Sequence, residues 1–211
     1  MRLHYRPGTA AMAPHATLAE IGVPYELVLV ERDEQGQPTE AYLALNPFGK
    51  IPTLEDGAFV LTEAAAICLH LAERFPDARL VPPAGTPERS ELYRWLIHLT
   101  NTFQPALLRY FYADRYGTEG VKEAAEAELH GHFDRIDGHL AGRRWLAGEE
   151  RSVADIFLFM LTRWGRFLEP PAWERPSVRA HWLRTLELPG VRKMIEEQEL
   201  DLPEFAHGTE A

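Results

Sequence analysis

A proline-rich stretch at residues 80–87 divides the chain into two parts that differ in their hydrophobic pattern. Its sequence, LVPPAGTP, holds three of the sixteen prolines, and proline and glycine at this density are typical of a linker. Strand-like and helix-like segments alternate before it, and only helical periodicity follows it. The pattern therefore predicts a small α/β domain at 1–80, a linker at 81–87 and an all-helical domain at 88–211.

The predicted elements of the first domain follow the order β-α-β-α-β-β-α. A helix over 10–21 connects strands at Arg2–Tyr5 and Tyr25–Val30, so these two strands must lie parallel. Asp56-Gly57 between two apolar runs predicts a hairpin, which adds two antiparallel strands. The sequence thus predicts a mixed four-stranded sheet. Its other predicted segments are helices at 40–45 and 63–74 and strands at 51–54 and 58–61.

The second part of the chain carries apolar residues at helical spacing. A long helix is predicted over 88–112, in which Pro105 should introduce a kink or a break. The helix predicted over 152–167 is apolar on nearly every side, so it is expected at the centre of its domain. Further helices are predicted at 119–140, 177–186 and 190–200.

Composition restricts the classes of protein to which the chain can belong. It is 45% apolar and 26% charged, which indicates a folded globular protein. Its net charge of −10 disfavours a nucleic-acid-binding surface, and no apolar run approaches the roughly 20 residues of a membrane helix. The single cysteine, Cys68, cannot form an internal disulfide and is expected to be buried and unreactive. These features predict a cytoplasmic protein with no nucleic-acid or membrane partner.

Three short motifs lie in order on the predicted α/β pattern: YRPG at 5–8, NPFGKIPTL at 46–54 and LTEAAAI at 61–67. With SVAD at 152–155, which opens the apolar helix, they resemble the glutathione S-transferase superfamily, especially its bacterial members. The resemblance extends over nearly the whole chain. It implies a thioredoxin-like N-terminal domain, an all-helical C-terminal domain, a homodimer, a role in detoxification, and glutathione as the co-substrate without a metal.

The resemblance also implies which residues bind glutathione. In the family the Ile51–Pro52 peptide bond is cis, and the residue at Ile51 pairs its main chain with the cysteinyl unit as an added strand. The helix that begins near Ala64 offers N–H groups to the γ-glutamyl carboxylate, and Glu63 corresponds to the acid that faces the γ-glutamyl amino group. Lys50 is expected near the glycyl carboxylate. A solvated loop lysine and a carboxylate that compensates the helix dipole are the alternative roles of Lys50 and Glu63.

Conjugation requires a thiolate, and an unperturbed thiol has a pKa of about 8.5. The family lowers this pKa with a Tyr, Ser or Cys at the end of the first strand or the start of the first helix. Here Ala10 and Ala11 occupy the positions of the family's cysteine and serine, which excludes mixed-disulfide chemistry there. Thr9 and Tyr5 remain as candidate hydrogen-bond donors, and Arg6 as a source of positive charge. A helix cap, a strand aromatic and a surface arginine are their alternative roles.

The electrophile is expected on the long helix of the second domain, where polar and aromatic side chains recur opposite the apolar stripe. A solvated helix face is the alternative interpretation. The residues in question are His98, Asn101, Thr102, Arg109 and Tyr112.

Three functions stay open on the sequence alone. The first is a transferase that stabilises the glutathione thiolate for attack on a small apolar electrophile. The second is a non-enzymatic member of the fold that binds a ligand or another protein. It is favoured by the loss of functional groups at Ala10, Ala11 and Ala64, the last of which stands where the family usually has a serine that binds the γ-glutamyl carboxylate. The third is a glutathione-dependent isomerase or dehalogenase that shares the site but not the reaction.

Overall fold

A computed structural model describes residues 1–117 and 119–207. The chain divides into two compact units. The first unit comprises residues 1–78 together with the C-terminal segment from Glu187, and the second comprises Arg79–Leu186. The helices, in chain order, are α1 (Met12–Ile21), α2 (Glu40–Leu45), α3 (Ala64–Arg74), α4 (Pro87–His98), α5 (Gln104–Phe111), α6 (Val121–Leu140), α7 (Val153–Trp164), α8 (Pro176–Leu186) and α9 (Pro189–Glu197).

The first unit contains a four-stranded sheet with the order β2-β1-β3-β4. Strands β1 and β2 are parallel, and the other two pairs are antiparallel. The mixed sheet predicted from the crossover helix and the Asp-Gly hairpin is therefore confirmed. The strands are β1 (Arg2–Tyr5), β2 (Glu26–Leu29), β3 (Thr53–Asp56) and β4 (Phe59–Thr62).

Alternation along the strands places an apolar core on one face of this sheet. Leu3 and Leu54 pair across β1 and β3 and are fully buried against Leu18 of α1 and against Ile67 and Leu71 of α3. Each such side chain contributes about 1.5–3 kcal/mol by leaving water. Helices α1 and α3 therefore cover this face of the sheet.

Helix α2 lies on the opposite face of the sheet. Its Tyr42 hydroxyl lies 2.9 Å from the Thr53 hydroxyl, and its ring lies 5.7 Å from the ring of His4, the register partner of Thr53. Asn46, directly after α2, donates to the same Thr53 oxygen at 3.1 Å. These contacts hold the loop that precedes β3.

The C-terminal segment from Glu187 belongs to the first unit, whereas the periodic pattern of the sequence predicted one helical domain over 88–211. Helix α9 contacts α1, and the backbone N–H of Gly190 donates to the Glu20 carboxylate at 2.8 Å. The two helices approach so closely that a Cβ at Gly190 would lie 2.2 Å from the backbone nitrogen of Glu20. Contacts between residues so far apart in sequence leave no periodic pattern. The sequence therefore could not indicate that the second unit ends at Leu186.

In the second unit, Pro105 interrupts the long helix that the sequence predicted. Helix α4 ends at His98, a π-helical turn spans Leu99–Phe103, and α5 begins at Gln104. The Gln104 N–H bonds to the carbonyl of Leu99, five residues earlier, and Pro105 lies in the first turn of α5, where it needs no N–H. The wider turn accommodates the proline without ending the helical path.

Helix α7 is buried along almost its whole length, from Val153 to Arg163, as its apolar sequence predicted. Cys68 of α3 is fully buried beside the Thr17 hydroxyl, and burial raises the pKa of its thiol to about 12. This thiol is therefore unreactive, as predicted. In the part of the chain that the structure describes, no helix combines the length and apolar character needed to span a bilayer.

Candidate active site

The register of three neighbouring strands brings three residues of the predicted glutathione site, Tyr5, Pro52 and Glu63, to one edge of the sheet. Strands β1 and β3 pair as far as His4 and Thr53, so the next residue of β1, Tyr5, is level with Pro52. Strands β3 and β4 pair through Thr53 and Thr62, so the residue that follows β4 lies at the same edge. The end of β1, the start of β3 and the end of β4 therefore meet there.

Ile51 presents main-chain groups at this edge. The Ile51–Pro52 peptide bond is cis, as the resemblance implied. Neither the N–H nor the C=O of Ile51 is hydrogen-bonded to any residue of 1–117 or 119–207. The preceding carbonyl, that of Lys50, accepts hydrogen bonds from the Tyr42 hydroxyl at 2.5 Å and from the Asn46 amide at 2.7 Å. The loop is thus fixed one residue before the unpaired groups, which is the arrangement that an added strand requires.

Glu63 connects β4 to α3 with a φ of +67°, a conformation that costs a non-glycine residue about 1–3 kcal/mol. Its side chain is exposed and makes no hydrogen bond or ion pair within the described residues. The Glu63 side chain, at the N-cap position, does not cap the first-turn N–H groups of α3, which begins at Ala64. Helix N–H groups left in this state favour an anion, and backbone strain of this kind concentrates at binding sites.

The Thr9 hydroxyl is occupied by the local turn. It donates to the carbonyl of Arg6 at 2.7 Å and accepts the N–H of Ala11 at 3.4 Å. The Arg6 guanidinium in turn donates to the carbonyl of Val30 at 2.9 Å. Both polar side chains therefore stabilise the turn between β1 and α1 in this conformation.

Tyr5 has a hydroxyl that is free of hydrogen bonds within the described residues. Its half-buried ring is roughly perpendicular to the ring of His15, and the two ring centroids are 6.4 Å apart. The backbone N–H of Ala10 is likewise unpaired within that part of the chain. Both donors are available for a bound group, whereas the Thr9 hydroxyl proton is already donated to the Arg6 carbonyl. The sequence could not indicate the Ala10 N–H as a donor, because nearly every residue has a backbone N–H and only the structure shows which of them are unpaired.

A buried hydrogen-bond chain reaches this turn from the C-terminal segment. Gln198, which is 3% exposed, accepts the Gly8 N–H at 3.1 Å and donates to Nδ1 of His15 at 2.9 Å. Nε2 of His15 lies 2.7 Å from a Glu197 carboxylate oxygen, to which the Tyr25 hydroxyl also donates at 2.6 Å. On the sequence alone His15 is expected to have a structural role in the first helix and Gln198 has no predicted role. Their contact could not be predicted, since they lie 183 positions apart.

The ionisation of this chain follows from burial and hydrogen bonding. Burial lowers the pKa of His15 below 6.5, although Glu197 opposes the shift. Burial would raise the pKa of Glu197, but hydrogen bonds from Tyr25 and His15 outweigh it and hold that pKa below its usual value. Burial and the bond to Glu197 raise the pKa of Tyr25. At neutral pH this hydrogen-bond chain therefore contains a neutral His15 imidazole and an ionised Glu197 carboxylate.

Two of the predicted electrophile-site residues contact α6 within the second unit. The His98 ring lies 5.3 Å from the ring of His132, and burial followed by the charge of His132 lowers the His98 pKa. Arg109 forms an ion pair of 2.5 Å with Glu128.

The other three predicted residues present exposed side chains. Asn101 and Thr102 lie in the π-helical turn, and Tyr112, 46% exposed, follows α5. The π turn changes the number of residues per turn. The five predicted residues, which a regular α-helix would place on one face, therefore do not all lie on the same face. Within the described residues no group of three or more His, Cys, Asp or Glu side chains is placed to hold a metal ion.

Comparison with known families decides the relationship. Residues 2–73 match the model of the glutathione S-transferase N-terminal domain, and residues 98–189 match that of the C-terminal domain. The chain belongs to the glutathione S-transferase family. Relatives of this transferase include glutathione S-transferase GST-4.5 of Xanthomonas campestris pv. campestris, 32% identical over 169 residues that cover 78% of this chain and 82% of that protein. GstA of Escherichia coli O157:H7 is 30% identical over 201 residues, which cover 92% and 97% of the two chains.

Solved structures place this transferase with the bacterial members of the family. A beta-class glutathione S-transferase of Sphingomonas chungbukensis superposes with a TM-score of 0.85 at 33% identity, covering 95% of this chain and 100% of that one. A sphingomonad glutathione S-transferase complexed with glutathione superposes equally well, with a TM-score of 0.85, 32% identity and the same coverage. The predicted combination of a thioredoxin-like domain and a helical domain is thereby confirmed.

Proposed function

We propose that this glutathione transferase binds glutathione at the edge where β1, β3 and β4 meet and transfers its thiolate to a small apolar electrophile. The observation that carries the proposal is the pair of unpaired main-chain groups of Ile51 beside Pro52. An extended cysteinyl unit has the complementary donor and acceptor, so it pairs with Ile51 as an added strand. The sphingomonad relative, which was solved in complex with glutathione, supports glutathione as the ligand.

The two ends of glutathione carry charges that the remaining residues complement. The γ-glutamyl carboxylate is assigned to the N–H groups at the start of α3, beginning with Ala64. The γ-glutamyl amino group is assigned to the exposed carboxylate of Glu63, and the glycyl carboxylate to the exposed ammonium of Lys50. Each assignment pairs opposite charges or a carboxylate with free helix N–H groups.

The chemistry consists of thiolate stabilisation and proximity. The Tyr5 hydroxyl and the Ala10 N–H donate to the sulfur, while the thiol proton leaves to solvent. The thiolate then gives its electron pair to the electrophilic carbon, and a leaving group departs or, in an addition, the neighbouring carbon takes a proton. Thr9 serves by shaping the turn that presents these donors.

The electrophile is proposed to bind on the second unit along α4, the π turn and α5. Exposed Asn101, Thr102 and Tyr112 supply polar and aromatic contact surface, and His98 and Arg109 border it from the side of α6. We further propose a cytoplasmic homodimer, on the family resemblance and the acidic composition.

Calorimetry with glutathione and turnover assays with an aryl halide and an α,β-unsaturated aldehyde test the function. We expect binding at millimolar or lower glutathione and conjugation of at least one electrophile. Absence of binding at millimolar glutathione would overturn the proposal. Binding without turnover would instead favour the non-enzymatic function that Ala10, Ala11 and Ala64 suggest.

The first prediction concerns Tyr5. Tyr5→Phe removes one donor to the thiolate, and a hydrogen bond to a charged group is worth about 1.5–3 kcal/mol, so the pKa of bound glutathione should rise by about 1–2 units. Thiolate absorbance as a function of pH measures this value. Thr9→Ala is the matched control and should change the thiol pKa less, because its proton is donated to Arg6. A larger effect of Thr9→Ala than of Tyr5→Phe would reverse the assignment.

The second prediction concerns Ala64, where the family usually has serine. Ala64→Ser adds a hydroxyl at the start of α3, beside the N–H groups assigned to the γ-glutamyl carboxylate. One added hydrogen bond of about 0.5–1.5 kcal/mol should tighten glutathione binding by up to about tenfold. Calorimetry measures the change, and Ala65→Ser, one position further along α3, is the control. Equal gains in both variants would contradict the placement of the carboxylate.

A further inference from the structure

The hydrogen-bond chain from Gly8 through Gln198 and His15 to Glu197, called here the Gln198 chain, has only one possible direction. The backbone N–H of Gly8 can only donate, so the side-chain group of Gln198 that faces it at 3.1 Å must be the carbonyl oxygen. The amide nitrogen of Gln198 therefore faces Nδ1 of His15, which must be the unprotonated ring nitrogen. The proton of the imidazole is then on Nε2 and is donated to Glu197.

The Gln198 chain ends at the turn that carries one of the two proposed thiolate donors, the Ala10 N–H. Gly8 has a φ of +70°, and it is followed directly by Thr9, whose hydroxyl closes the turn, and by Ala10, whose N–H is unpaired within the described residues. The Gln198 side chain thus holds one end of a short turn whose other end opens α1.

We propose that Gln198 and His15 are positioning residues, which hold the Gly8–Ala10 turn in the conformation that stabilises the glutathione thiolate, and that they do so only while His15 is neutral. The inference rests on the proposed function and adds to it a control by residues remote in sequence. Neither side chain is assigned a contact with glutathione.

The requirement for a neutral imidazole follows from donor counting. Protonation of His15 makes both ring nitrogens donors, so Gln198 would have to turn its oxygen towards Nδ1. Its amide nitrogen would then face the Gly8 N–H, and two donors cannot bond to each other. Protonation of His15 therefore releases Gly8 from the chain.

The groups around His15 decide when this happens. Glu197 favours protonation and Lys193, also on α9, disfavours it. The Tyr25 hydroxyl lies 3.2 Å from Nε2, and the Tyr5 ring packs against the imidazole. Because burial outweighs Glu197 and places the folded-state pKa below 6.5, the neutral form is favoured by folding. Its stabilising effect is complete above the unfolded value of 6.5 and is lost as the pH falls through the lowered folded-state value.

Two substitutions of Gln198 separate positioning from general stability. Gln198→Met has similar volume and removes both hydrogen bonds, so the thiolate fraction of bound glutathione near neutral pH should fall about tenfold, while the glutathione Kd should change little. Gln198→Glu keeps an acceptor for Gly8 and places a second carboxylate oxygen at Nδ1. It should retain the thiolate and move the His15 titration, followed by NMR, above 6.5.

Thr17→Val is the matched control. Thr17 is a buried residue of the same helix, and its hydroxyl bonds to Ala13 and Cys68 rather than to the Gln198 chain. It should lower the Tm without changing the thiol pKa of bound glutathione. An unchanged thiol pKa in Gln198→Met, or an equal rise in Thr17→Val, would overturn the inference while leaving glutathione binding by the wild-type protein intact.

A second readout needs no glutathione. The Gly8 amide should exchange with solvent faster in Gln198→Met than in the wild type or Thr17→Val, and its chemical shift should titrate together with His15. If the wild type failed to bind glutathione, the proposed function would be wrong. The exchange rate of the Gly8 amide would still show whether Gln198 holds Gly8. Unchanged Gly8 exchange in Gln198→Met overturns the inference in either case.

Discussion

Replacement of Asp155 by alanine is expected to lower the free energy of unfolding by about 3–5 kcal/mol. Asp155 is fully buried, and one of its oxygens accepts the Leu146 N–H at 2.8 Å and Nε2 of His181 at 2.9 Å. The other accepts the Ser152 N–H at 2.8 Å, which is the carboxylate half of the capping box at the start of α7, and it also accepts the Ser152 hydroxyl at 2.9 Å. Removal of the carboxylate leaves four donors without an acceptor in a region closed to water.

Chemical denaturation followed by circular dichroism measures this loss, and two further variants define its cause. Asp134→Ala removes an ion pair of 2.6 Å with Arg175, but the Asp134 side chain is 67% exposed, so the loss should stay within about 1 kcal/mol. Asp155→Asn keeps the volume of the side chain and turns one acceptor into a donor that faces other donors. It should be destabilised strongly as well, whereas wild-type stability of Asp155→Asn would show that the alanine variant suffers only from a cavity.

Local patterns predicted the elements of this fold because each depends on near neighbours in sequence. The crossover helix required β1 and β2 to be parallel, and Asp56-Gly57 marked the hairpin of β3 and β4. The interruption at Pro105 was predictable because proline lacks a backbone N–H, and this loss affects only the helical turn in which the proline lies. Ser152 and Asp155, three residues apart at the start of α7, form a capping box, which is likewise a local feature of the sequence.

The sequence predicted those parts of the candidate site whose main-chain geometry can be inferred from the type of residue, such as a proline. The motif around Pro52 predicted the cis peptide bond, which the structure contains, and the main-chain position at which we propose that glutathione binds. The sequence alone left both Thr9 and Tyr5 as candidate donors. What separates them is the acceptor of the Thr9 proton, the Arg6 carbonyl, which depends on the conformation of one turn. The Gln198 chain was beyond prediction, since the bond from Gly8 to Gln198 joins residues 190 positions apart.

The packing of α9 on α1 brings the two backbones close together at Gly190. A Cβ there would lie 2.2 Å from the nitrogen and 2.5 Å from the Cα of Glu20, and both are backbone atoms that no side-chain rotation can move away. Gly190→Ala must therefore displace α9 from α1 and lengthen the 2.8 Å bond from the Gly190 N–H to the Glu20 carboxylate. We expect a loss of about 2–3 kcal/mol in the free energy of unfolding.

Gly138→Ala is the control of opposite sign. Gly138 lies inside α6, and a Cβ at this position would meet no atom within 4 Å beyond the backbone of its own helix. Alanine there should therefore stabilise the protein by about 0.5–1 kcal/mol through its helix propensity. Because Gln198 directly follows α9, Gly190→Ala should also release Gly8 and raise the thiol pKa of bound glutathione, which Gly138→Ala should leave unchanged. Equal stability of the two variants in thermal denaturation would show that α9 does not pack against α1 at Gly190.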